Sequence, residues 1–282
     1  MRLETIEFLS TTRGAVNEDR AGCAGAVAWV IDGATDVVDA PLAGEVSDAS
    51  WFAAGMDAAL RAMAAEAPLA LHGLPARLAA GLSKAFASAQ RRKPAGSAEH
   101  PSAAGIILQI HGDRLEYVSL GDCALFCHDG TRFHHIGDDA AKAGDRWVAE
   151  AIAIDQKQNP GSTIAEARGR LWAKLGSARA RMNMTNGYGI FSLTAPPKAL
   201  IRTGSLSLTR NSAILLATDG LMRLVDVFAR YDAKALFDIA ASRGLAFLEA
   251  ELRALETADA ACIRFPRAKI YDDATGLLLR VV

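Results

Sequence analysis

Three apolar runs follow one another almost without interruption: AAGIILQI at 103–110, RLEYVSL at 114–120 and CALFCHD at 123–129. The links between them, HGD and GD, are too short for the crossover that a parallel pair of strands requires. This stretch is therefore a β-meander, and the rest of the fold has to accommodate an antiparallel sheet. Further apolar runs lie at Ala28–Ile31, at 213–218 (AILLAT) and at 275–282 (TGLLLRVV). Between them the pattern turns helical. Phe52, Met56, Leu60 and Met63 mark one face of a helix over 47–66, and Leu74, Leu78, Leu82 and Phe86 mark another over 74–90. Residues 138–181 read as polar and helical with a break at NPGS. Residues 182–201 read as irregular, then extended, and 233–257 carry a helical Leu face at 245, 248, 252 and 255. This order is not a βαβα alternation, so a doubly wound parallel sheet is disfavoured. The expected class is α+β, with antiparallel sheets and helices on their outer faces.

The 282 residues allow one or two domains and a large core, and 51% hydrophobic content excludes a disordered chain. Lys+Arg 31 against Asp+Glu 32 gives a net charge of −1, which lacks the basic footprint of a nucleic-acid binder. No apolar run approaches the ~18 residues of a membrane span. The opening MRLETIEFLS carries acids and lacks a signal peptide's apolar stretch, so a cytoplasmic protein without a membrane partner is expected. Cys23, Cys123, Cys127 and Cys262 show neither CxxC nor zinc spacing and are expected to be buried free thiols.

Carboxylates recur at the strand ends. Asp32-Gly33 closes the run VI, Asp219-Gly220 follows ILLAT, Asp122 follows YVSLG, Asp272-Asp273 precede ATGLLLR, and Glu18-Asp19 lie in NEDR. A single Asp-Gly is an ordinary turn signal. Several acids gathered at the ends of neighbouring strands are different, because crowded and partly buried carboxylates repel one another. Divalent Mg²⁺ or Mn²⁺ prefers oxygen ligands, removes that cost, and as a pair can activate water for attack at phosphorus. On this reading Asp32 is a metal bridge and Gly33 a main-chain ligand.

NEDR, VIDGATD, SLGD, LLATDGL and DDATGLLLRV, in this order and at these separations, resemble the metal-dependent protein phosphatases of the PP2C (PPM) family. The resemblance spans nearly the whole chain and implies a single domain over 1–282, an αββα sandwich of two antiparallel sheets flanked by helices. It implies hydrolysis of phosphoserine and phosphothreonine with two Mn²⁺ or Mg²⁺ ions and a third held more weakly. Carried over, Asp32 bridges the metals, Gly33 offers its carbonyl, and Asp219 and Asp272 hold one ion. Glu18 and Asp19 act through coordinated water, and Asp122 helps hold the third ion. Asp273 is expected to support its neighbour.

Three departures stand out. The family's phosphate-binding Arg position is Gly14 here, which leaves Arg13, Arg20, Arg267 or Lys269 to engage phosphate. Where eukaryotic members place a His after the Asp-Gly, this chain has Ala34, and His134-His135 read as strand or turn. A flap-like insertion over about 137–203, together with GYGIFSL and PRAKIYDD, resembles a divergent bacterial subgroup. The expected partner is a phosphorylated protein substrate. The alternatives are a small phosphomonoester substrate, an inactive binding module of this fold, or another two-metal hydrolase such as a nuclease. The sequence does not define the oligomeric state.

Overall fold

The computed structural model describes residues 1–37, 40–65 and 68–282, without the side chains of 139–141 and 145. Along β3 (Val27–Gly33), Val27, Trp29 and Ile31 point one way and Ala28 and Val30 the other, and all five are fully buried. A strand apolar on both faces belongs at the centre of a layered fold.

One sheet runs β2 (Arg20–Ala24), β3, β4 (Ser102–His111), β5 (Arg114–Leu120) and β9 (Arg202–Ser207), with the short β8 (Phe191–Ser192) paired to β4. The other runs β1 (Leu3–Thr11), β11 (Ala274–Val281), β10 (Ala213–Ala217), β6 (Ala124–His128) and β7 (Phe133–Ile136). Every pairing between these strands is antiparallel. The expected meander is present as β4, β5 and β6, but it changes sheet at Gly121-Asp122, so β5 and β6 belong to opposite layers. His134 and His135 lie in β7.

Between the sheets, Val30, Ile106, Leu108, Leu125, Ile214, Leu216 and Leu279 interlock. The outer face of the first sheet is covered by α1 (Asp48–Ala64) and α2 (Leu74–Ala89), which bury Phe52, Met56, Leu60, Leu78 and Leu82 against Trp29 and Ile31. Full burial of each such side chain stabilises by about 1.5–3 kcal/mol. Glu66, the last residue of the expected first helix, lies outside the described residues. The second sheet is covered by α5 (Asp219–Asp226), α6 (Ala233–Arg243) and α7 (Leu245–Ala258). The helical stretch 233–257 is split between α6 and α7, because Gly244 takes φ 88° and ends α6. The carboxylate of Glu7 on β1 then accepts the first backbone N–H groups of α7. The result is the αββα layering expected from the sequence.

Between β7 and β9 the chain forms α3 (Asp139–Gln158) and α4 (Ile164–Arg179), broken at NPGS as the sequence indicates. A reciprocal Thr163–Glu166 capping box starts α4. These helices have a small core of their own: Ile152, Ile164 and Leu171 pack with Cys262, Ala268 and Ile270 of the loop before β11.

Candidate metal centre

Five chain segments deliver acids to one end of the sandwich. Asp32 is next to last in β3, Asp122 lies in the β5–β6 link, and Asp219 opens α5 straight after β10. Asp272 lies just before β11, and Glu18 and Asp19 just before β2. Oxygens of Asp32 and Asp122 and the Cys123 sulfur all lie within 4.8 Å of one another. The Asp219 carboxylate is close enough to Asp32 to act on its proton affinity.

Gly33 is not a turn residue, since it is the last residue of β3. Its N–H donates to the Glu18 carbonyl at 3.2 Å, and a Cβ there would lie 2.7 Å from that same oxygen. The glycine lets the NEDR loop lie directly against the strand that carries Asp32. Gly220 does the same between α5 and the Asp272-Asp273 loop, where a Cβ would meet the Asp273 carbonyl at 1.8 Å.

Each acid is held differently. Glu18 accepts hydrogen bonds from Ser47 Oγ and from Thr35 Oγ1 (2.7 Å), and the Asp273 carboxylate accepts the Glu18 N–H at 2.7 Å. Asp19 accepts from Thr218 Oγ1 at 2.8 Å. Burial pushes the carboxyls of Asp19, Asp32 and Asp219 up, and neighbouring carboxylates add to the rise at each. Burial pushes the Cys123 thiol well up too, with the acids adding to the effect, so it stays a thiol at neutral pH. All four cysteines are free; Cys123, Cys127 and Cys262 are buried as expected, whereas Cys23 is only partly buried.

Asp272 goes the other way. Burial alone would raise it, but Arg223 (2.6 Å) and Lys269 (2.9 Å) outweigh burial and bring it down to about 2. Arg223 is 8% exposed and also binds the fully buried Glu256, which in turn binds Arg253. The Arg253 guanidinium also donates to the Asp272 carbonyl at 2.9 Å. Sequence reading missed Arg223 and Arg253. The Asp219–Arg223 spacing of four residues on a helix was a usable signal for the first, and the Glu249–Arg253 and Arg253–Glu256 spacings on α7 for the second.

Of the basic residues considered for phosphate, Arg267 is 3% exposed and spends its donors on Asp259 and on the carbonyls of Glu256, Phe265 and Ile270. Arg20 is tied to the carbonyls of Asn17 and Asp19 and to Ser50. Arg13 is exposed on the 12–19 loop, and Lys269 is at the acidic cluster itself. A further arginine that sequence reading missed is Arg179, at the end of α4. It is buried and donates to the carbonyls of Ala34 (3.2 Å) and Thr35 (2.6 Å), just beyond Asp32-Gly33.

The two facing antiparallel sheets with helices outside have the PP2C (PPM) phosphatase fold. Solved structures with this fold include the serine/threonine phosphatase PstP/Ppp of Mycobacterium tuberculosis, at 14% identity and TM-score 0.58, covering 100% of this chain and 99% of that one. The catalytic domain of the serine/threonine protein phosphatase PstP, solved with two manganese ions, gives 16% identity and 0.57, with the same coverage. The PPM Ser-Thr phosphatase MsPP from Mycobacterium smegmatis, solved with cacodylate, gives 14% and 0.51, covering 99% of each chain. No protein-family model and no curated protein matches the sequence, so the likeness is one of fold.

Proposed function

We propose that the protein is a Mg²⁺- or Mn²⁺-dependent phosphoprotein Ser/Thr phosphatase, a cytoplasmic single domain over 1–282 with a flap at about 137–203. The observation that carries this reading is the convergence of Asp19, Asp32, Asp122, Asp219 and Asp272 at one end of a PP2C fold. Burial and mutual repulsion leave three of them short of positive charge. That is the electrostatic setting a divalent cation relieves, and the donor set is hard oxygen, which suits Mg²⁺ or Mn²⁺.

Asp32, the Gly33 carbonyl, Asp219 and Asp272 would hold two ions, with Glu18 and Asp19 acting through water and Asp122 holding a third. Bound there, the ions supply Lewis acidity and an activated water for attack at phosphorus. The chain's own part is orientation. Thr218 fixes the Asp19 carboxylate, and Ser47 and Thr35 fix Glu18. Arg223 keeps Asp272 ionised. The manganese in the PstP neighbour and the serine/threonine activity of PstP and MsPP support the same reading.

The test is hydrolysis of para-nitrophenyl phosphate and a phosphothreonine peptide with Mn²⁺, Mg²⁺ or EDTA. Turnover should need the metal and favour the peptide. A folded protein that binds Mn²⁺ yet hydrolyses neither substrate would overturn the reading.

A further inference from the structure

We infer that Lys269 is the residue whose ammonium hydrogen-bonds the phosphate group of the bound substrate, and that its contact with Asp272 is a resting position. This deepens the phosphatase reading and rests on it. The ions that Asp32, Asp219 and Asp272 would hold offset much of the acids' charge, but the remaining oxygens of a phosphomonoester still have to be oriented, which calls for a cation with a donor to spare beside the acids. The neighbouring arginines have little to spare. Arg223 is locked between Asp272 and Glu256. Arg253 is 6% exposed among Glu249, Glu256 and the Asp272 carbonyl. Arg20, Arg179 and Arg267 are tied mainly to backbone carbonyls.

Lys269 differs in three ways. Its side chain is 29% exposed. Of the three donors on an ammonium group, one goes to Thr35 Oγ1 (2.7 Å) and one to Asp272 Oδ1 (2.9 Å), leaving a third. Its flanking residues Ala268 and Ile270 are packed into the core beneath α3 and α4, so the backbone is pinned while the four-carbon stem can swing. The ammonium therefore sits at the junction of three parts of the site. Thr35 Oγ1, which it contacts, donates to Glu18, and the Thr35 carbonyl accepts from Arg179 at the end of α4. Lys269 thus lies between the carboxylate of Asp272 and the Thr35 contact to the end of α4.

The experiment titrates inorganic phosphate into Mn²⁺-loaded wild type, Lys269→Met, Lys269→Arg and Arg13→Ala by calorimetry. Mn²⁺ affinity is measured separately on each, and circular dichroism checks the fold. Loss of one charge-assisted hydrogen bond should weaken phosphate binding in Lys269→Met about tenfold or more. Mn²⁺ should bind as tightly as to wild type or tighter, and Lys269→Arg should recover part of the phosphate affinity. Phosphate affinity unchanged in Lys269→Met, or a loss carried by Arg13→Ala in its place, overturns the inference. So does a wild type that binds Mn²⁺ but no phosphate. Phosphate binding that depends on Lys269 in a protein that hydrolyses no phosphomonoester would sustain it while sinking the phosphatase reading.

Discussion

Asp32 and Asp272 belong to the same acidic cluster, yet their proton affinities are shifted in opposite directions. Burial, then Asp219 and Asp19, pushes Asp32 up. Burial also acts on Asp272, but Arg223 and Lys269 bring it down to about 2. Residue type and depth are alike, so what separates them is where the chain placed its cations. One side of the cluster is already neutralised by protein. The other carries unopposed negative charge and is the side that a bound cation would relieve most.

The largest effect should come from taking the cation away from the neutralised side. Arg223→Met leaves Glu256 to Arg253 alone and Asp272 to Lys269 alone. Removing one partner from a buried ion-pair network costs about 3–5 kcal/mol, which urea denaturation can read. The same variant should raise the proton affinity of Asp272 and make it resemble Asp32. A loss below about 1 kcal/mol would show that the Arg223 network contributes little, and the contrast between the two aspartates would then need another cause.

The next largest effect should come from the opposite side. Asp32→Asn removes a carboxylate that would hold metal, and turnover should fall beyond the roughly 10–100-fold typical of losing a partner outside the ligand set. Because Asn carries no charge to bury, the EDTA-treated variant should be at least as stable as wild type. Mn²⁺ binding as tight as wild type, measured by calorimetry, would break the comparison outright.

How much of this is legible in the sequence depends on whether the signal is local. Asp32, Asp122 and Asp219 each sit where a short apolar run stops and Asp272 just before one starts, junctures that are visible in the chain itself. The β4–β5–β6 meander and α1 and α2 are equally visible as periodicity. By contrast β1, with its mixed pattern LETIEFLST, is a strand because β11 from the far end of the chain pairs with it, and no local window contains that partner. Glu18 is called into place by Thr35 and Ser47, and Asp272 by Arg223 and Lys269. The carboxylates could be found in the sequence, but their pairing could not: Arg223 is four residues from Asp219, yet the carboxylate it holds is Asp272, from a distant segment.

Arg179 offers a smaller effect and a useful contrast with Arg223. Both are buried arginines, but the hydrogen bonds of Arg179 go to backbone carbonyls and Ser102, not to carboxylates. Its replacement by Met should cost about 1.5–3 kcal/mol, the range for hydrogen bonds involving a charged group. Hydrogen exchange should quicken in α4 and in the 34–37 segment while β3, β4 and β10 keep their protection. Unchanged exchange in α4 would mean that the small core around Ile152 and Leu171, not Arg179, holds those helices in place.

The gentlest test varies only pH. Asp19, Asp32 and Asp219 have folded-state proton affinities above their unfolded values, so the folded protein binds more protons than the unfolded one as pH rises past about 4. Without metal, stability should therefore fall with rising pH until those carboxyls have ionised, by about 1.4 kcal/mol per pH unit for each group in its window. Asp36, pushed up to about 6 by burial, adds to that slope below its own transition. Asp272 has the opposite sign: its stabilisation is present above the unfolded value and is lost only as pH falls towards about 2. The EDTA-treated protein should thus be most stable on the acid side of neutrality, and Mn²⁺ should raise the urea midpoint far more at about pH 7.5 than at about pH 4.5. A midpoint that climbs from acid to neutral pH in EDTA would mean that the Asp32 side of the cluster is neutralised by groups of the protein, and the difference between the two aspartates would disappear with it.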